Sequence, residues 1–370
     1  MHTRIASLAT LLTAAGLAAS TATGTALAAG STGSTATPAT PTTPTTALAK
    51  STTTSTTTPT TPTSTTPTTP TSTTPAPPAK ASVRLYVRDA FLLHGGAVTV
   101  AGRALELQGI VTPYVSGQSV TVRSFAGSHL VKSDLLRLKP SANGRFGTFT
   151  ERVTSSRTGI LRVRVRHAPT LEQQGFFDQR AVAVLGTGAG FGSRGSFVAL
   201  IQQRLNARHV YVPQTGVYDQ QTGLALDAYH RLLGWGVSQS LGGATVRALL
   251  DGRGTFVVRH PRDGKHVEGN LGRQLLAEIN GSKVYRIYPI SSGKPSTPTV
   301  LGHFRVYRRT PGYLPDGMYF SSFFYGGYAI HGYNPAPDYA ASHGCMRLPI
   351  IDAISVYNWL NFGDVVDVYQ

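Results

Sequence analysis

"HGYNPAPDYAASHGCMRL", residues 331–348, contains two of the eleven histidines and the only cysteine of this 370-residue chain. A cysteine is a good nucleophile only as a thiolate, so it needs a nearby base and N–H donors for the oxyanion that it creates. His331 ends a predicted strand, and the loop before His343 can bring that strand end back to Cys345. Gly344 permits close backbone approach. The stretch therefore predicts a nucleophilic cysteine close to the end of a strand, with a buried inert cysteine as the alternative.

The start of the chain predicts export. Residues 1–28 combine His2 and Arg4 with a mildly apolar run that ends in Ala26-Leu27-Ala28, a pattern typical of a secretory signal peptide. A membrane anchor is the weaker alternative, because the apolar run is shorter than the roughly 20 residues of a spanning helix. In an oxidising compartment cysteines normally pair, and a single one cannot do so within its own chain. We expect a secreted protein of the cell wall, without a membrane anchor after signal cleavage.

Composition and periodicity divide the rest of the chain into four segments. Residues 29–80, almost entirely Thr, Pro, Ser and Ala, predict a disordered linker. Residues 81–185 alternate apolar and polar positions, which predicts an all-β sandwich. Residues 186–252 show helical periodicity, with Asp219 as a helix cap and Gly234 as a helix end. Residues 253–370 predict a β-rich domain.

Two local patterns define the expected C-terminal domain further. Asn280-Gly281 is a strong hairpin signal between two strand-like runs. One main helix is predicted from Pro349 to about Leu360, because proline suits a first helical turn. Its expected buried side carries Ile350, Ile351, Ile354 and Leu360.

The segment "IHGYNPAPDYAASHGCMRLP", together with "YPISSGKPSTPTVLGHFRV" upstream, resembles the catalytic domain of the L,D-transpeptidases, the cysteine enzymes that cross-link peptidoglycan. The resemblance covers nearly all of residues 265–370. It implies that Cys345 is the nucleophile and His331 the general base, with the Gly332 carbonyl orienting the His331 ring. It also implies that His343 hydrogen-bonds within the site and that amides around Gly344 and Cys345 form the oxyanion hole.

The same resemblance implies a reaction. Cys345 would attack the carbonyl between the third stem residue and the terminal D-Ala of a tetrapeptide stem, and an amine of a neighbouring stem would resolve the thioester into a 3→3 cross-link. Water as the acceptor would make the enzyme an L,D-carboxypeptidase, and a non-catalytic wall-binding protein is a further alternative. Carbapenem sensitivity is implied as well. Ser342 and Arg347 are the expected substrate-binding residues, although Arg347 could equally pair with a protein acid.

Two further resemblances concern the preceding segments. "VALIQQRL", "TGVYDQQTGLALDAYHRLLG" and "GGATVRALL" resemble the three-helix peptidoglycan-binding domain, with His230 where that family usually has Gln. "LQGIVTPYVSGQSVTVRSF" resembles bacterial immunoglobulin-like modules, for which a rigid spacer is the preferred interpretation over a binding role.

Charge and metal-ligand spacing complete the picture. Lys and Arg outnumber Asp and Glu by 34 to 17, so the net charge is +17, and a secreted protein this basic should concentrate on polyanions. Peptidoglycan stems and anionic wall polymers are the expected partners, and nucleic acid is not. The alternative explanation of the basic charge is that it lies on solvated sheet faces. Zinc held by His331, His343, Cys345 and Asp338 is disfavoured, because one residue between His343 and Cys345 is unusual ligand spacing. We therefore expect no metal and no cofactor.

Overall fold

The computed structural model describes residues 75–370. The predicted signal peptide, residues 1–28, and residues 29–74 of the predicted linker lie outside this part of the chain. The described part is β-rich with few helices, and we divide it into a β module, a helical module and a C-terminal domain.

The β module places ten strands in two sheets, of order β1-β4-β8-β7 and β2-β3-β10-β9-β5-β6. Side chains alternate between the core and solvent along these strands; on one of them Leu161, Val163 and Val165 are buried while Arg162 and Arg164 between them are exposed. Most buried residues of both sheets form one apolar cluster between them, whereas Leu93, Val98 and Val100 pack into a core with the helices. The strands are Ser82–Val87 (β1), Phe91–Leu93 (β2), Gly96–Val100 (β3), Ala104–Thr112 (β4), Ser119–Ala126 (β5), His129–Arg137 (β6), Lys139–Pro140 (β7), Gly147–Thr154 (β8), Gly159–His167 (β9) and Phe176–Leu185 (β10).

The helical module consists of Ser196–Asn206 (α1), Gln220–Leu233 (α2) and Gly243–Leu250 (α3). The predicted cap is confirmed, because the Asp219 carboxylate accepts the Thr222 N–H at 2.9 Å. The predicted helix end is confirmed too, since Gly234 has φ 72°, a left-handed conformation that glycine adopts readily. His230 is buried, and its two ring nitrogens contact Ser238 O at 2.6 Å and Thr245 Oγ1 at 2.8 Å. This histidine is therefore an internal residue of the module.

The C-terminal domain has two sheets and one helix. The five-stranded sheet has the order β13-β12-β11-β19-β14, and the four-stranded sheet has the order β15-β16-β17-β18. The predicted hairpin is present, with Asn280 paired to Lys283, so Gly281 and Ser282 form its two-residue loop. The elements are Lys265–Asn270 (β11), Leu275–Asn280 (β12), Lys283–Pro289 (β13), Gly302–Arg305 (β14), Arg308–Tyr313 (β15), Tyr319–Tyr325 (β16), Tyr328–Tyr333 (β17), Met346–Pro349 (β18), Ile350–Trp359 (α4) and Val365–Tyr369 (β19).

The predicted buried side of α4 is wrong in part. Ile351 and Ile354 are 45% and 42% exposed, whereas the helix buries Asp352, Ala353 and Val356. Apolar residues occur on several sides of this helix, so its sequence does not reveal which side packs. Contact is set instead by a glycine on β17: a Cβ on Gly332 would lie 2.6 Å from Ala353 Cβ, so only glycine lets the helix approach this closely.

The helical module shares one apolar core with the C-terminal domain and with β2 and β3 of the β module. That cluster joins residues of the three helices, such as Leu226 and Tyr229, to Leu275 and Ile279 on β12. Arg231 on α2 extends the contact with polar bonds. It forms a buried ion pair with Asp227 at 2.7 Å and donates to the carbonyl oxygens of Gln274, Ile290 and Asp338, each at 3.0 Å.

Candidate active site

The structure brings the predicted nucleophile and base to adjacent strands. β17 and β18 are parallel, with Ile330 opposite Met346 and His331 opposite Arg347; Cys345 directly precedes β18. Because side chains alternate along a strand, Ile330 and Met346 enter the core of the domain. His331, Cys345 and Arg347 therefore share the opposite face of the sheet.

His331 is held in one ring orientation. It is 2% exposed, and its Nδ1 lies 2.9 Å from the carbonyl oxygen of Gly332, the contact that the sequence resemblance implied. A carbonyl oxygen only accepts, so Nδ1 carries the proton and Nε2 is left with a lone pair. Burial lowers the pKa of His331 to about 4, which keeps the ring neutral over most of the pH range.

Cys345 is half-buried against an apolar cluster of Met318, Phe323 and Ala329. Its Sγ lies 3.8 Å from Gly327 O, a contact that suits a protonated thiol. Burial raises the pKa of the Cys345 thiol, because the low-dielectric surroundings disfavour the thiolate. The resting site therefore holds a neutral thiol and a neutral imidazole on the same face of the sheet.

Ser342 organises the loop and does not face a substrate. It is fully buried, its Oγ donates to Cys345 O at 2.6 Å, and the same oxygen accepts the Gly344 N–H at 3.0 Å. The expected substrate-binding role of Ser342 is thus wrong, because both hydrogen bonds of its hydroxyl are used within the loop. The expectation for Gly344 changes as well, since its N–H is engaged and is not free to face an oxyanion.

Gly344 is required by its surroundings. Its φ is +115°, and an added Cβ would lie 1.7 Å from Cε1 of Tyr328, inside the ring. Tyr328 on β17 therefore packs directly against the backbone at Gly344. Sequence reasoning missed this tyrosine, because only the pairing of β17 with β18 brings it to the loop.

A second segment, residues 291–299, holds the loop from its other side. Ser292 O accepts the N–H groups of Ala341 and Ser342, both at 2.9 Å, and Ser342 O accepts the Lys294 N–H at 3.0 Å. There is no space for a side chain at Gly293, because an added Cβ would lie 2.3 Å from Thr297 O. The "SSGKPSTPT" sequence noted in the family resemblance thus holds the cysteine loop in place through backbone hydrogen bonds.

The two remaining predicted site residues lie at the rim. His343 is exposed, with Nε2 3.3 Å from Lys294 Nζ. The Arg347 guanidinium lies 4.0 Å from the centre of the Tyr333 ring, a cation–π arrangement. The ion pairs within residues 75–370 do not include Arg347, so the structure does not support its pairing with a protein acid.

The disfavoured zinc ligands do not form a metal-type cluster. Within the described residues, the side chains grouped closely enough to hold a metal are His260, Asp263 and Asp367, none of which belonged to that hypothesis.

The fold and site define a β-rich domain with a cysteine and an oriented histidine on neighbouring strands. Comparison with known proteins identifies the family of this domain. The family model of the YkuD L,D-transpeptidase catalytic domain matches residues 264–368. The chain therefore carries an L,D-transpeptidase catalytic domain.

Individual relatives were found as well. YkuD of Bacillus subtilis, whose name assigns it provisionally to the L,D-transpeptidases, is 36% identical over 95 residues, which are 25% of this chain. The chain spans 57% of the length of that relative. An L,D-transpeptidase structure from Xylanimonas cellulosilytica is 30% identical with a TM-score of 0.44, covering 49% of this chain and 97% of the other. The catalytic domain of the Enterococcus faecium L,D-transpeptidase is 25% identical with a TM-score of 0.26, covering 29% and 98%.

Proposed function

We propose that this chain is a secreted L,D-transpeptidase that forms 3→3 cross-links in peptidoglycan through a thioester on Cys345. One observation carries the proposal: the bond from His331 Nδ1 to Gly332 O leaves Nε2 as a proton acceptor on the sheet face that carries Cys345. A nucleophile, a base and an orienting group for that base are the parts that covalent acyl transfer requires.

In the first half-reaction, Cys345 Sγ attacks the carbonyl that joins the third stem residue to the terminal D-Ala. The thiol proton passes to His331 Nε2, and the developing oxyanion is stabilised by backbone N–H groups. We assign this role to the Cys345 N–H, because the Gly344 N–H is already bonded to Ser342 Oγ. The departing D-Ala amine takes the proton from His331 as the C–N bond breaks.

In the second half-reaction, an amine from the third residue of a neighbouring stem attacks the thioester. His331 Nε2 accepts the amine proton and returns it to the leaving sulfur, which restores the thiol. We propose that Arg347 binds a stem carboxylate, because stacking on Tyr333 holds its planar donors without consuming them on an acid. In this proposal His343 takes no part in proton transfer; it is exposed, with its Nε2 3.3 Å from Lys294 Nζ.

The remaining segments fit an enzyme of the cell wall. We propose that residues 1–28 direct secretion and that the β module is an immunoglobulin-like spacer. We further propose that the helical module is a peptidoglycan-binding-type domain that also fixes the loop between His331 and Cys345, since Arg231 donates to Asp338 O in that loop. No helix among residues 75–370 is long and apolar enough to span a membrane.

The test is mass spectrometry of products from a purified disaccharide-tetrapeptide incubated with the wild type, Cys345→Ala and His343→Gln. Loss of D-Ala with dimer formation, abolished in Cys345→Ala and retained in His343→Gln, is the expected result. Loss of D-Ala without dimer would identify a carboxypeptidase. A folded wild type that gives no product would indicate a non-catalytic wall-binding protein and overturn the proposal.

A further inference from the structure

The outer face of the six-stranded sheet in the β module concentrates positive charge. Its strands β5, β6 and β9 present five exposed arginines outward, which we call the arginine face: Arg123, Arg137, Arg162, Arg164 and Arg166. The outward positions beside them on these strands and β10 are apolar or neutral, such as Thr121, Leu135, Phe177 and Gln179. The face therefore carries no compensating acid at these positions.

The arrangement opposes the stability of the module. Arg123 and Arg164 are directly opposite each other on β5 and β9, and like charges in that position are destabilising. The β-module ion pairs within residues 75–370 use Lys132, Arg152 and Arg180, and none of the arginine face. Solvated sheet faces alone do not require arginine opposite arginine.

The face also contains a concave site. A groove of about 860 Å³ is lined by Arg123, Arg164 and Arg166 together with Phe125 and Phe177. The guanidinium of Arg164 lies 5.3 Å from the centre of the Phe125 ring, which orients its donors.

One buried histidine lies at the end of this groove. His167 is 4% exposed and its Nδ1 is 2.7 Å from Ser119 O, so Nδ1 carries a proton. Its Nε2 is buried and has no hydrogen-bond partner among residues 75–370. Because it alternates with the arginines along β9, His167 belongs to the inward side of the sheet with Val163 and Val165, and the charge that the groove offers is that of the arginines.

We propose that the arginine face binds a linear, phosphate-bearing polyanion of the cell wall. Arg162, Arg164 and Arg166 occupy every second position of β9 and are therefore about 6.8 Å apart, a row that can follow successive charges of an extended chain. Guanidinium groups bind phosphate through paired donors. The proposal rests on the wall location given under the proposed function and is independent of the chemistry at Cys345.

The test measures binding of fluorescently labelled poly(glycerol phosphate) to the full-length chain across a salt series. Cys345→Ala serves as the background, so binding is separated from turnover and remains measurable even if the enzymatic proposal fails. Arg123→Gln/Arg164→Gln/Arg166→Gln should raise Kd at least about tenfold and lower the salt slope by up to about 1 per lost contact. Arg194→Gln/Arg247→Gln/Arg262→Gln removes the same charge from exposed positions elsewhere and should change Kd by less than about threefold.

Thermal unfolding checks that both triple variants fold. The groove variant should unfold at the same temperature as its background or higher, because it relieves repulsion between Arg123 and Arg164. Equal loss of binding in both triple variants would show that binding depends on the overall positive charge and not on this groove, and it would overturn the proposal. Absence of wild-type binding, or equally tight binding of poly-L-glutamate, would overturn it as well.

Discussion

Acylation of Cys345 should keep its full rate to unusually low pH. Burial lowers the pKa of His331 to about 4, so its Nε2 stays available as a base well below the ordinary histidine range. At pH 5, a ring with a pKa of about 4 is roughly 90% neutral, whereas one with a pKa of about 6.5 is roughly 3% neutral. The structure therefore predicts a rate at pH 5 about 30-fold higher than an unperturbed histidine would allow.

The assay follows the carbapenem adduct on the protein by intact mass from pH 3.5 to 8, under single-turnover conditions. Burial raises the pKa of the Cys345 thiol, so the thiol stays protonated across this range. The decrease in acylation rate at low pH therefore reports the protonation of His331 alone. His343→Gln is the matched control, because it removes an exposed histidine of the same loop and should leave this decrease in place. A fall in the acylation rate centred near pH 6.5 would refute a mechanism that begins from a neutral thiol and a neutral imidazole.

Three substitutions test the support around the site. Gly344→Ala would place a methyl group inside the Tyr328 ring, so carbapenem acylation should fall at least about 100-fold as the loop is displaced, measured by intact mass; a normal rate would contradict the packing. Ser342→Ala leaves two loop backbone groups without their partner and should lower the free energy of unfolding by about 1–3 kcal/mol in denaturant titrations, whereas Ser342→Thr should retain most of the stability. Arg231→Met leaves Asp227 buried and unpaired, at a cost of about 3–5 kcal/mol in the same titrations. Adding Asp227→Asn should recover stability but not transpeptidation, because the Asp338 carbonyl stays without its donor; recovery of both would show that Arg231 acts on stability alone.

The elements of this chain could be predicted where the local pattern was sufficient. Strict alternation of apolar and polar residues predicted the strands of the β module. Asp219 as the cap and Gly234 as the end predicted the limits of α2. The Cys345 and His331 pair could be recognised because both lie in one short segment. These features depend on neighbours in sequence.

Features that depend on pairing between distant segments were out of reach. The buried side of α4 was misassigned at Ile351 and Ile354, because the helix is apolar on several sides and Gly332 sets its contact. Ser342 was predicted to bind substrate, because the sequence does not show that its hydroxyl is buried between Gly344 and Cys345. The row of arginines was visible on β9, but the opposition of Arg123 and Arg164 follows only from strand order.

The apolar core shared by α2 and β12 has a consequence for how this protein can change over generations. Recombination that replaced only the helical module would expose Leu275 and Ile279 and remove the side chain that bonds the Asp338 carbonyl. A foreign module would have to bring a matching surface and an arginine at the position of Arg231. The two segments should therefore be inherited as a pair, and the β module is tied to them as well, because Leu93, Val98 and Val100 belong to the same core.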